Sequence, residues 1–214
     1  MKRLSLILLL IGLTAAPAAA DPNVDVLRYT FRLTLSDETD TVRGETTVVA
    51  RFLADGVESF ELDLIGAATG GETGMTVEAV TRDGNAVAFT HENDRLRITL
   101  ATAAQAEERR VFTITYQGIP GDGLIIANNK YGDRTFFGDN WPERARHWLP
   151  TVDHPSDKAM CEFVVTAPDH YQVVGCGALV EETDLPGGLR RTHWRSQAPM
   201  ATKVMVIGVA RFAV

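Results

Sequence analysis

Apolar residues recur at every second position along most of this chain. Leu27, Tyr29, Phe31, Leu33 and Leu35 alternate with Arg28, Thr30, Arg32 and Thr34, the period of a strand with one face buried and the other wet. A polar cluster at 36–40 turns the chain, and 42–53 predicts a second strand running back. Further strands are expected around Phe60, Leu62 and Leu64, over 75–82, 86–91, 95–100 and 110–117, with a glycine-rich loop at 66–74 and a hairpin turn at Asp83-Gly84-Asn85. The chain is less regular over 124–155. Beyond it, 158–166 and 171–182 are expected to form a hairpin, Pro186-Gly187-Gly188 a tight turn, and 189–196 and 203–214 the closing strands. Only 105–109 and 142–146 could make a helical turn. This predicts an all-β fold, a twisted antiparallel β-sandwich with a saddle-like form and short irregular connections.

The first 20 residues read differently. Lys2 and Arg3 precede an apolar run at 4–13, followed by small residues ending in Ala18, Ala19 and Ala20. A basic start, a short apolar core and an A-x-A site are the parts of a secretory signal peptide, with cleavage expected before Asp21. The run breaks at Thr14 and Pro17, short of the roughly 20 apolar residues that a membrane span needs. The domain reading is therefore a signal peptide at 1–20 and one β-domain at 21–214, exported to the periplasm or outside the cell and not held in a membrane after cleavage. A net charge of -7 disfavours nucleic acid as a partner, since phosphates would be repelled. Cys161 and Cys176 are the two cysteines. The expected hairpin would set them opposite each other about a turn near Pro168, where an oxidising compartment favours a bond and the geometry of opposed strands disfavours it. The sequence leaves that choice open.

The densest chemistry lies at 136–163, which holds two of the three tryptophans, two of the five histidines and three prolines. Yet no catalytic motif is complete. The histidines 91, 147, 154, 170 and 193 include no H-E-x-x-H pair, so no metal site is expected in this chain. There is no nucleophile elbow and no phosphate loop. Asn140 before Trp141 and Pro142 suggests a capped helical turn. Leu149-Pro150 and Asp153-His154-Pro155 make two further corners, which should bring Arg146 and Asp153 together as an ion pair. Trp141, Trp148 and Phe137 are expected as apolar anchors.

Pro142, Ala145, Arg146, Leu149, Pro150, Asp153, Pro155, Lys158 and Ala159 form a pattern that resembles the segment closing the amino-terminal β-domain of the aminopeptidase N family of zinc metallopeptidases, peptidase family M1. The opening strand at 29–35, a second strand containing Gly44, the glycine-rich approach at 118–123 and the ending at 205–212 resemble that domain as well. The resemblance implies a non-catalytic domain that docks, in cis, on a zinc-peptidase catalytic domain. The G-x-M-E-N and H-E-x-x-H motifs of that partner are not in these residues, so zinc is implied for the catalytic domain and no cofactor for this chain. The family often places a glutamine three positions before the proline, where it helps hold the free amino group of a peptide substrate. Here that position is Asp139, with Asn140 beside it, and these two are the implied substrate-binding residues. The alternative is a catalytically inactive β-sandwich module that serves as an interaction scaffold.

Overall fold

The computed structural model describes residues 22–68 and 70–212; the leader-like segment lies outside the described residues. In chain order the strands are β1 (Val24–Thr34), β2 (Val42–Phe52), β3 (Val57–Asp63), β4 (Gly74–Arg82), β5 (Asn85–Ala86) and β6 (Phe89–Glu92). They continue with β7 (Arg95–Ala104), β8 (Arg109–Ile119), β9 (Leu124–Asn128), β10 (Arg134–Gly138) and β11 (Lys158–Pro168). The last five are β12 (Gln172–Gly175), β13 (Ala178–Leu185), β14 (Leu189–Arg195), β15 (Met200–Ala201) and β16 (Ile207–Ala210). Single 3-10 turns occur at Ala145–His147 and Thr202–Val204. No described helix is long and apolar enough to cross a membrane.

Among the described residues these strands make three sheets. The large one has nine strands in the order β13-β14-β11-β1-β2-β8-β4-β5, with β15 added to β11. A four-stranded sheet runs β12-β16-β10-β9, and a three-stranded sheet β3-β7-β6. The all-β expectation therefore holds, with one strand pair of the other kind: β1 and β11 run parallel. The period-two pattern explains the layering. Tyr29, Phe31 and Leu33 are buried on one face of the large sheet, and the two small sheets supply the opposing apolar surface. Phe60 of β3 meets Phe52 of β2 and Phe112 of β8, with ring centroids 5.8 and 5.0 Å apart. The other face of the large sheet is polar. Around Arg32, Glu45, Gln117, Glu162 and His193 it forms an open hollow of about 800 Å³.

Several local readings change. The Asp83-Gly84 turn forms, with φ of 52° and 77° and Arg82 opposite Asn85, the positive-φ pair of a two-residue hairpin. The return strand, however, divides between β5 in the large sheet and β6 in the small one. The expected hairpin between 158–166 and 171–182 does not form. β12 leaves for the four-stranded sheet, burying Tyr171 and Val173 there, and the true hairpin is β13–β14 across the Pro186-Gly187-Gly188 turn. Residues 105–109 are a turn leading into β8, not helix. The closing segment is a 3-10 turn followed by the short β16. Gly44 lies opposite Tyr116, and a Cβ there would come within 2.3 Å of its ring.

The sheets are joined at their polar edges by buried charge. Arg146 Nε donates to Asp153 Oδ2 at 3.1 Å, and its Nη2 to the Asp153 carbonyl at 2.9 Å, so the expected pair is present. The other Asp153 oxygen accepts from Thr202 Oγ1 at 2.6 Å, and the Asp153 amide donates to Asp63 at 2.8 Å. Asp63, the last residue of β3, also meets Arg95 of β7 at 2.7 Å and Arg146 at 3.6 Å. One cluster thus links the three-stranded sheet, the proline corners and the segment leading into β16.

Asp157, just before β11, is a costlier burial. Its Oδ1 accepts from the Val26 amide at 3.3 Å. Burial pushes its pKa up from 3.8 to about 7; the Val26 amide pulls it back and the nearby Asp25 carboxylate pushes it further up. Because the folded-state value exceeds that of the unfolded chain, the folded protein holds this proton longer, and Asp157's effect on stability worsens as pH rises from about 4 through about 7.

Two outcomes are expected. Asp153→Ala removes a carboxylate that is 1% exposed and leaves Arg146 without its main partner, so urea denaturation should show a loss of about 3–5 kcal/mol; a loss under 1 kcal/mol contradicts the role. Asp157→Asn should be more stable than the parent chain at pH 8 by about 2 kcal/mol and lose that advantage near pH 4. Equal stabilities at pH 8 contradict the burial cost.

Candidate functional site

The segment between β10 and β11 is held from inside by Asn140. This residue is 1% exposed. Its Nδ2 donates to the carbonyls of Thr202 and Met205, at 3.1 and 2.7 Å, and its Oδ1 accepts from Trp148 Nε1 at 2.8 Å. All of those bonds are internal, so a substrate would have to displace one of them to reach the Asn140 amide. The expected helix cap is also absent. Residues 141–144 form turns, the Trp141-Pro142 bond is cis, and the 3-10 turn at Ala145–His147 has no side-chain cap. The Asn140 side chain was free to turn inward because its backbone carbonyl, not its amide group, receives the Arg144 N–H at 3.0 Å.

Trp148 is the buried anchor. It is fully enclosed and stacks on Phe163 with centroids 6.2 Å apart and planes at 12°. Ala145 is also fully buried, and its carbonyl accepts the Trp148 and Leu149 N–H groups at 3.1 and 2.8 Å. Gly123 lets the turn before β9 press against this corner: its φ is 75°, and a Cβ would come within 2.1 Å of the Arg144 carbonyl. Its own carbonyl accepts the Asp139 N–H at 2.6 Å. The Asp139 backbone is therefore fixed although its side chain projects into solvent.

The Asp139 carboxylate is 48% exposed and meets Arg144 at 2.9 Å. Arg144 also reaches Asp122 at 3.4 Å. Two carboxylates around one guanidinium leave a surplus negative charge on the surface. His147, on the same corner, has its pKa lowered mainly by burial, which favours the neutral ring. Trp141 and Phe137, expected as anchors, are instead 60% and 42% exposed, with Lys203 Nζ lying 4.5 Å over the Trp141 ring. The cross-strand row Val174, Gly208, Phe137 and Ile125 traverses the four-stranded sheet. Its three side chains are all exposed, and residues directly opposite one another share a face. An apolar strip thus lies on the sheet whose strand β10 leads into Asp139. Phe212 lies edge-on against Phe137, with ring centroids 6.2 Å apart, so the strip is partly covered; its apolar outward positions break the alternation that would have shown β9 and β10.

The remaining signature positions are structural in their placement. Pro150 is buried, Pro142 and Pro155 are exposed in their turns, and Lys158 begins β11 opposite Ala201. Among the described residues no group of three or more His, Cys, Asp or Glu comes together to hold a metal ion. A second charged cluster stands in the hollow of the large sheet, where His193 and Arg195 surround Glu162 at 2.9 and 3.3 Å. Burial alone would raise the Glu162 carboxyl, but the hydrogen bonds from His193 and Arg195 outweigh it and hold the pKa below its ordinary value.

No curated protein matches the sequence. Among solved structures, the fold is similar to an M1 zinc metallopeptidase from Deinococcus radiodurans, with a TM-score of 0.77 and 24% identity over 91% of this chain and 43% of that one. A mutant of that enzyme bound to a Tyr-Ser-Ala substrate matches at the same TM-score and identity, over 91% of this chain and 44% of that one. Native leukotriene A4 hydrolase from Saccharomyces cerevisiae gives a TM-score of 0.70 at 21% identity, over 88% of this chain and 29% of that one. The chain thus spans less than half the length of these structures. At the level of sequence, the Peptidase M1 N-terminal domain family matches residues 26–204, which include the whole corner from Asp139 to Lys158, and the chain belongs to that family.

Proposed function

We propose that this domain is the non-catalytic amino-terminal part of an exported zinc aminopeptidase. It docks on a catalytic domain in cis and lends Asp139 to the site that holds the free amino group of a peptide substrate. The observation that carries this reading is the position of Asp139: an exposed carboxylate on a fixed backbone, beside an exposed apolar strip. A strip of this kind is suited to burial against another domain. The surplus negative charge of Asp122 and Asp139 around Arg144 suits an ammonium group, since a charge-assisted bond to a carboxylate is stronger than one to an amide. Arg144 can stay on Asp122 while a substrate ammonium takes its place on Asp139. Asn140 acts behind this as a positioning residue through its internal bonds. Peptide binding is also consistent with the related Deinococcus enzyme, described with a Tyr-Ser-Ala substrate. Export rests on the basic, apolar and small-residue parts of residues 1–20.

In the protein that joins this domain to its catalytic partner, Asp139→Ala should lower kcat/KM for peptides with a free amino terminus by about 10- to 100-fold, the range expected for a lost charge-assisted bond. Unchanged kinetics would remove Asp139 from the site and favour the scaffold reading. Amino-terminal sequencing of the mature protein should begin at Asp21; a mature chain that keeps Met1 contradicts export through cleavage.

A further inference from the structure

The two cysteines, placed in different sheets' surroundings by the departure of β12, nevertheless meet. Cys161 lies within β11, 1% exposed. Its N–H donates to Ser196 Oγ at 2.9 Å, and its carbonyl accepts the Ser196 N–H at 2.8 Å. Cys176 lies in the connection from β12 to β13 and is half-buried. The glycines on either side press it against the end of β14. A Cβ on Gly175 would fall 2.9 Å from the Trp194 side chain, and one on Gly177, whose φ is 93°, 2.0 Å from the Arg195 carbonyl. On its other side the Val206 amide donates to Cys176 Sγ at 3.3 Å. The Cys176 thiol faces the Val204 and Val206 carbonyls as a donor, at 3.2 and 3.4 Å, and the Cys161 thiol is its side-chain neighbour on the core side.

We propose that Cys161 and Cys176 are a redox-active pair, converted by a small-molecule disulfide such as oxidised glutathione into an internal disulfide that staples β11 to the β12–β13 connection. The geometry divides the roles. Cys176 is reachable, and the Cys161 thiol, the largest cause, and the Val206 amide together outweigh burial and bring its pKa down to about 7; once its proton, now shared with the Val204 carbonyl, passes to solvent, it supplies the attacking thiolate. Cys161 is enclosed, and its thiol is held well above the ordinary value, first by the neighbouring Cys176 and then by burial. The Cys176 thiolate attacks one sulfur of oxidised glutathione, forming a mixed disulfide and releasing one glutathione thiolate. Cys161 then gives up its proton, which the departing thiolate takes, and its sulfur attacks Cys176 to expel the second glutathione. Two protein thiols are oxidised to one disulfide, and one glutathione disulfide is reduced to two thiols.

The test is thiol mapping on the purified, reduced chain equilibrated with oxidised glutathione under native conditions. Both thiols should become unreactive, and the peptide containing Cys161 should be found linked to that containing Cys176. The Tm should rise by roughly 6–12 °C through closure of the 161–176 segment. Cys161→Ser should leave glutathione bound at Cys176, whereas Cys176→Ser should leave Cys161 unmodified. A parent chain that ends with glutathione on Cys176 and a free Cys161, or with both thiols still titratable, overturns the proposal. Mapping the parent chain decides the matter even if a variant fails to fold.

Discussion

Two carboxylates that cannot be left alone, Asp63 and Asp153, hold this domain together. Both are nearly sealed from water, and a buried charge without a partner is among the most destabilising features a fold can contain. Arg95 reaches Asp63 from β7, and Arg146 reaches both acids from the proline corner. Satisfying them requires β3, β7, the 139–157 segment and Thr202 to arrive at one point. Apolar packing alone would tolerate several ways of laying two small sheets on a large one. The charge cluster accepts far fewer, and it fixes the corner from which Asp139 projects.

From that corner the order passes outward. Arg146 and Asp153 fix the turns, the turns seat Trp148 against Phe163, and Trp148 holds Asn140. Asn140 in turn grips the chain at Thr202 and Met205. Its neighbour Asp139 thus has a backbone tied to Gly123 and a half-exposed side chain on Arg144. A recognition group benefits from that combination, because less freedom remains to be lost when a ligand binds. The adjoining strip of Ile125, Phe137 and Val174 has the opposite character, apolar and about half exposed.

Much of the fold was legible because alternation is a local property. The first two strands, the Asp83-Gly84 turn and the Arg146–Asp153 pair followed from residues close together in sequence, the last because two prolines constrain the chain between them. The errors came where tertiary partners decide. β12 was expected beside β11, yet Tyr171 and Val173 find their apolar surroundings in the other small sheet. The 124–138 stretch reads as irregular because its outward positions, Ile125 and Phe137, are apolar where alternation demands polar residues. Asn140 read as a cap by type and position, and nothing local reveals that Trp148, Thr202 and Met205 compete for its amide. The same exposed strip that obscured the pattern adjoins Asp139, on which the functional proposal rests.

The parallel pairing of β1 with β11 has a consequence in time. The partners on the other side of Arg28 to Thr34 are Met160 to Thr166, so the first strand of the sheet waits for one made much later. During synthesis β1 can close against β2 early, but its second edge stays open until residue 166 has emerged. An open edge is a template for pairing with another chain, and long-range closure of this kind is intrinsically slow. The nascent domain is therefore most vulnerable through the middle of its own synthesis, and a ribosome that stalls before Lys158 leaves a half-sheet with its most apolar strand unpartnered on one side.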